Sequence, residues 1–179
     1  MGKILNHFKN NAIIYLILLL CLVILAIAIF VKQQNKVEVD TSMFNVIPLK
    51  EAIGLFDDND PKYILISTND CAATEKFVPS LVIAEAKEEV KVYYLELNDI
   101  DRNNKEDLED FFKFQELLDF EYTFRGETKP IGEFIGNTPM NVVIKNKKVV
   151  WAYIGSMSTE AARAVLKRYL KWVIFVEEL

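Results

Sequence analysis

Residues 12–31 form a run of twenty uncharged, almost wholly apolar positions closed by Lys32. At about 1.5 Å per helical residue such a run reaches roughly 30 Å, the hydrocarbon thickness of a bilayer, so it predicts one transmembrane helix. A cleaved signal peptide would use Ala26-Ile27-Ala28 as its small-x-small site, but Ile29, Phe30 and Val31 extend the apolar run beyond it. A lipidation box ending at Cys21 would require a small residue where Leu20 stands, so Cys21 reads as a buried small apolar side chain. Lys3, Lys9 and the amino terminus lie before the run, with Lys32 and Lys36 after it. That balance predicts a single-pass protein of the cell membrane with a cytoplasmic N-terminus and an extracytoplasmic C-terminal part.

Residues 33–179 hold all 26 acidic side chains and 18 of the 21 Lys and Arg, a net charge of −8. Such a surface argues against nucleic acid as a partner. The 147 residues suit one domain with a real core. Cys71 is the only cysteine in this part, so no internal disulfide forms, and the only histidine, His7, lies beside the apolar run. A Cys-His nucleophile pair is therefore excluded there, and so is a soft metal site. With no calcium-loop spacing and no glycine pattern for phosphate, neither metal nor cofactor is expected.

Residues 32–42 are polar and read as a tether. Strand-like runs follow at 44–47, 63–66, 90–97, 140–144 and 149–154, the last two joined by Lys145-Asn146-Lys147-Lys148 as a hairpin turn. Helical patterns cover 49–56, 72–89, 105–120 and the stretch from Ser158 to the C-terminus, where Trp172, Ile174 and Phe175 would pack on the sheet. Pro79 falls inside the second of these helices. The expected organisation is an N-terminal segment 1–11, a transmembrane helix 12–31, a tether 32–42 and an α/β domain 43–179 of order βαβαβα then ββα.

Within that domain, Cys71-Ala72-Ala73-Thr74 stands between a strand and a helix, Pro79 follows five residues after Thr74, and Thr138-Pro139 directly precedes a β-hairpin that runs on to Gly155. In this pattern the chain resembles the thioredoxin superfamily, with Thr74 at the second-cysteine position of a degenerate Cys-x-x-Cys and Thr138-Pro139 as the cis-proline dipeptide. The resemblance implies a mixed central sheet flanked by helices. It also looks, more distantly, like the membrane-anchored thioredoxin-like accessory proteins of Gram-positive bacteria, including those of bacteriocin transport and maturation.

Three departures bear on chemistry. Thr74 cannot release a mixed disulfide at Cys71, Leu65 stands where the family has a buried acid, and the charge of Asp70 should disfavour the Cys71 thiolate. The family also has fewer residues before its cis proline. The excess here falls around 99–138, where nine acids between Asp99 and Glu121 face Arg102, Lys105 and Lys113, forming either a solvated helix face or an acidic wall for a basic partner.

The resemblance implies a polypeptide partner held by Asp70, Ala72, Thr138 and Pro139, by a binding or accessory factor in secretion or a bacteriocin-type process. The alternative is a monothiol exchange or isomerase enzyme with Cys71 as nucleophile and Thr74 as its hydrogen-bonding neighbour. A disulfide-linked dimer through Cys71 is a third, structural possibility.

Overall fold

The computed structural model describes residues 12–34 and 38–171, and the chain divides into two compact units, Met1–Lys36 and Val37–Leu179. In the first, helix α1 spans Ala12–Gln34, and its side chains are described over 15–27, all of them exposed. Among the described residues no helix is long and apolar enough to cross a membrane, which corrects the expected transmembrane helix over 12–31. Lys3, His7 and Lys9 lie outside the described residues, as do Trp172, Ile174 and Phe175.

The second unit is built on a five-stranded sheet. Strands β1 (Asn45–Val46), β2 (Lys62–Ser67) and β3 (Val92–Glu96) alternate with helices α2 (Leu49–Gly54), α3 (Ala72–Glu88) and α4 (Lys105–Leu117). A two-stranded ribbon, β4 (Glu121–Phe124) and β5 (Glu127–Pro130), precedes the hairpin β6 (Met140–Lys145) and β7 (Lys148–Ile154), and α5 (Thr159–Leu166) follows. In the sheet the order is β1-β3-β2-β6-β7. Pairing is parallel for β1 with β3 and β3 with β2, and antiparallel for β2 with β6 and β6 with β7. Strand order, strand directions and helices on both faces make this a mixed α/β fold of thioredoxin-like type.

Apolar side chains alternate to opposite faces along β2, β3 and β6, and both faces are covered, which is why these strands are buried almost throughout. Ile64, Ile66, Leu95, Val142 and Ile144 share one core cluster with Ala52 of α2 and Phe114 of α4. Tyr63, Leu65, Tyr94 and Val143 share the other with Phe77 and Leu81 of α3 and Ala162 and Leu166 of α5. Val39, inside the stretch read as a tether, is buried in this second cluster, and its N–H donates to the Asn69 carbonyl at 2.8 Å.

The ribbon is absent from the sequence-based expectation. Its turn places Arg125 at φ 51° and Gly126 at φ 85°, the left-handed pair that a two-residue hairpin needs. A ribbon of two strands is marginal alone. Here Tyr122 and Phe124 set their rings edge-on to Phe134, and the Tyr122 hydroxyl accepts the Ile154 N–H at 3.2 Å.

Candidate functional site

β2 ends at Ser67, a short loop carries Asn69 and Asp70, and Cys71 takes the extended N-cap position of α3. The Cys71 N–H donates to the Thr68 carbonyl at 3.1 Å, which closes the loop into a turn. Facing it, the Thr138–Pro139 peptide bond is cis, and the Pro139 carbonyl accepts the Gly155 N–H at 2.8 Å. Asn141, fully buried, takes the Tyr63 hydroxyl on its Oδ1 at 2.7 Å and donates to the carbonyls of Tyr153 and Gly155 at 3.2 and 3.0 Å. Ser156 Oγ donates to the Ala73 carbonyl at 3.0 Å, joining the end of the hairpin to the first turn of α3. Two loops from distant parts of the chain are thus fixed against each other.

Cys71 is half-buried between them, and its thiol points at the Thr138 carbonyl, with Sγ 3.6 Å from the oxygen. Burial pushes the thiol pKa up, but hydrogen bonds from the side chains of Thr138 and Thr74 and from the N–H groups of Thr74 and Ala73 outweigh it. The thiol therefore sits below its ordinary value, as expected where helix-terminal amides converge on sulfur. Asp70, whose charge was expected to oppose the thiolate, is exposed, and its Oδ1 lies 3.5 Å from the Asn98 amide. Ala72 is exposed beside it.

Thr74 is fully buried, and its hydroxyl lies 2.5 Å from Ser67 Oγ. The chain's two cysteines, Cys21 and Cys71, stand fifty positions apart and both are free. Residues 71–74 are therefore not a Cys-x-x-Cys motif, degenerate or otherwise. That corrects the motif assignment, and with it the resemblance to the membrane-anchored bacterial accessory proteins that rested on it.

One buried group escaped the sequence reading. Glu96 on β3 is only 6% exposed, accepts the Tyr94 hydroxyl at 2.9 Å and caps the following turn by accepting the Asn98 N–H at 2.8 Å. Tyr94 is the register partner of Leu65, and Glu96 that of Ser67, so a carboxylate lies on the neighbouring strand two residues along from the position where an acid was found missing. Burial, then the hydrogen bond and charge of Glu96, then the charge of Cys71 all raise the Tyr94 phenol, which stays protonated and donating. The signal was the alternation Val92, Tyr94, Glu96, which puts the acid on a buried face. Among the described residues no three His, Cys, Asp or Glu are grouped to hold a metal ion.

No family model matches the chain, and no curated protein matches it. Its fold is similar to that of the oxidised thioredoxin of Plasmodium falciparum, at TM-score 0.45 and 12% identity over 71% of this chain and 98% of that one. It is also similar to mitochondrial thioredoxin 3 of Saccharomyces cerevisiae, oxidised form, at TM-score 0.44 and 15% identity over 73% and 95%. A structure concerned with thiol resolution of a yeast mitochondrial 1-Cys peroxiredoxin through glutathione and thioredoxin systems gives TM-score 0.42 and 15% identity over 72% and 93%. At these identities the fold assignment rests on the sheet order and directions.

Proposed function

We propose that the protein acts on polypeptides through the single thiol of Cys71. An extended segment would lie along Thr138 and Pro139, and the Cys71 thiolate would attack a disulfide in it. One S–S bond forms between Cys71 and the segment, the segment's own S–S bond breaks, and the departing sulfur leaves as a thiolate that takes a proton from water. A small-molecule thiol from solution, itself as thiolate, then attacks the Cys71 sulfur and releases the segment as a thiol, and a second one removes the first from Cys71 as the small thiol's own disulfide, returning the Cys71 thiolate. The observation that carries this reading is the half-buried thiol placed at the N-terminus of α3 against the Thr138–Pro139 dipeptide, where hydrogen bonds from the Thr138 and Thr74 side chains and the Thr74 and Ala73 backbone hold it below its ordinary pKa.

Holding a polypeptide without thiol chemistry is the second reading. It is favoured by Thr74, whose hydroxyl is tied to Ser67 and offers no second sulfur. A test substrate is a reduced polypeptide whose one cysteine is blocked by a small thiol, incubated with limiting glutathione and followed by mass spectrometry and non-reducing gels. The thiol reading expects a Cys71-linked adduct and faster unblocking, both lost in Cys71→Ser. Equal unblocking by Cys71→Ser would overturn it, and polypeptide binding retained by that variant would then support the holding reading. A Cys71–Cys71 linked pair as the sole product would show dimerisation instead.

A further inference from the structure

Helix α4 carries five acids, of which Glu106, Glu109 and Glu116 are exposed, yet Phe112 stands among them and is 53% exposed. One exposed aromatic is ordinary on a protein surface. Here, however, it forms the ridge between two hollows. On one side a hollow of about 280 Å³ is floored by Ile100, Leu108, Phe111 and Ile135, with Arg102 at its rim. On the other a hollow of about 400 Å³ runs between Phe112 and Pro130 and is rimmed by Glu116, Asp119 and Glu133. Gln115 lines both, and its amide is held by the Gly132 carbonyl at 3.0 Å, so the floor of the groove is fixed rather than collapsible.

We propose that this groove docks a basic polypeptide segment of another protein, with an apolar side chain seated against Phe112 and Lys or Arg side chains reaching Glu116, Asp119 and Glu133. Charge decides the occupant. Glu116 and Asp119 have no ion-pair partner among the described residues, and Glu133 shares Lys129 with Glu127 at 4.0 and 2.9 Å. Three carboxylates beside an apolar ridge leave negative potential that a basic segment neutralises and that an acidic one would meet with repulsion. The ridge supplies contact area, and the carboxylates supply orientation and rate of encounter. The surface lies on elements that contribute no group to the Cys71 site, so the inference stands apart from the thiol chemistry.

Fluorescence anisotropy tests it with a labelled twelve-residue peptide carrying a central Leu-Phe flanked by lysines, against the same peptide with glutamates. The lysine peptide is expected to bind at least tenfold more tightly, and Phe112→Ala to cost it about tenfold. Glu116→Lys with Asp119→Lys should erase or invert the preference between peptides. Ile83→Ala, which trims another exposed side chain on α3, should change nothing. Equal binding of both peptides, or equal affinity of Phe112→Ala and the parent, would overturn the proposal. Sedimentation showing a dimer that Phe112→Ala dissociates would overturn it too, by assigning the groove to a second copy of this chain.

Discussion

Ser67 and Thr74, seven positions apart, face each other with hydroxyl oxygens 2.5 Å apart in a buried site directly under the thiol loop. Either side chain alone would leave a buried hydroxyl without its partner. Ser67→Ala and Thr74→Val should each cost about 1–2 kcal/mol, while the double variant should cost less than the two together. Urea denaturation of the four proteins measures this. Only Thr74→Val should also move the Cys71 titration, because Thr74 is the member that hydrogen-bonds the sulfur.

The thiol's depressed pKa predicts a pH profile. Iodoacetamide should alkylate Cys71 with a midpoint below the ordinary cysteine value of about 8.5. Removing a donor to the thiolate must raise it, so Thr138→Val should shift the midpoint upward. The native protein binds fewer protons than the unfolded chain between the two values, so Cys71 adds stability that is present above the ordinary thiol value and is lost as pH falls through the depressed one. Cys71→Ser should abolish that part of the pH dependence of the melting temperature.

At the other end of α3, Glu88 is buried and ion-paired to Arg163 of α5 at 2.9 Å, with Lys171 at 3.8 Å. Arg163→Met should cost about 2 kcal/mol by leaving the buried carboxylate only the more distant Lys171, and Glu88→Leu in that background should recover most of the loss. A denaturation series showing the double variant no more stable than Arg163→Met would contradict this.

Two glycines should respond with opposite sign. A Cβ on Gly132 would fall against the backbone carbonyl of Gln115, which cannot move without α4, so Gly132→Ala should lower stability by about 1–3 kcal/mol. Gly54 ends α2 with helical φ of −62° and open space around its Cα. Gly54→Ala should raise stability by about 0.5–1 kcal/mol, read as a higher melting temperature.

Much of the sheet was legible because its strands carry plain apolar runs, and Ser158 marked its helix, since its Oγ takes the Ala161 N–H as an N-cap should. Helix α4 stops at Leu117, short of the expected 120, because the Leu118 carbonyl is taken by the Gly132 N–H, a contact no local pattern announces. The ribbon was missed because Glu121 to Phe124 alternates weakly and Arg-Gly is a less emphatic turn signal than Asn-Gly. At the site, Thr138 and Pro139 were visible as residues, but the sense of the Cys71 shift was not. It depends in part on a hydrogen bond from the Thr138 side chain, 67 positions away, and Asp70, adjacent in sequence, is exposed. Glu96 could be placed beneath the loop only once the β2–β3 register was known.

The register of β2 also dictates when this domain can become complete. Its parallel neighbour β3 follows about thirty residues later, whereas Lys62 pairs with Ile144 and the buried Tyr63 hydroxyl waits for Asn141, 78 positions on. A ribosome must therefore deliver most of the chain before the central strand acquires its second edge. Until then one side of β2 stays open, which makes the interval between synthesis of β3 and of β6 the stretch of this protein's history most exposed to wrong pairing.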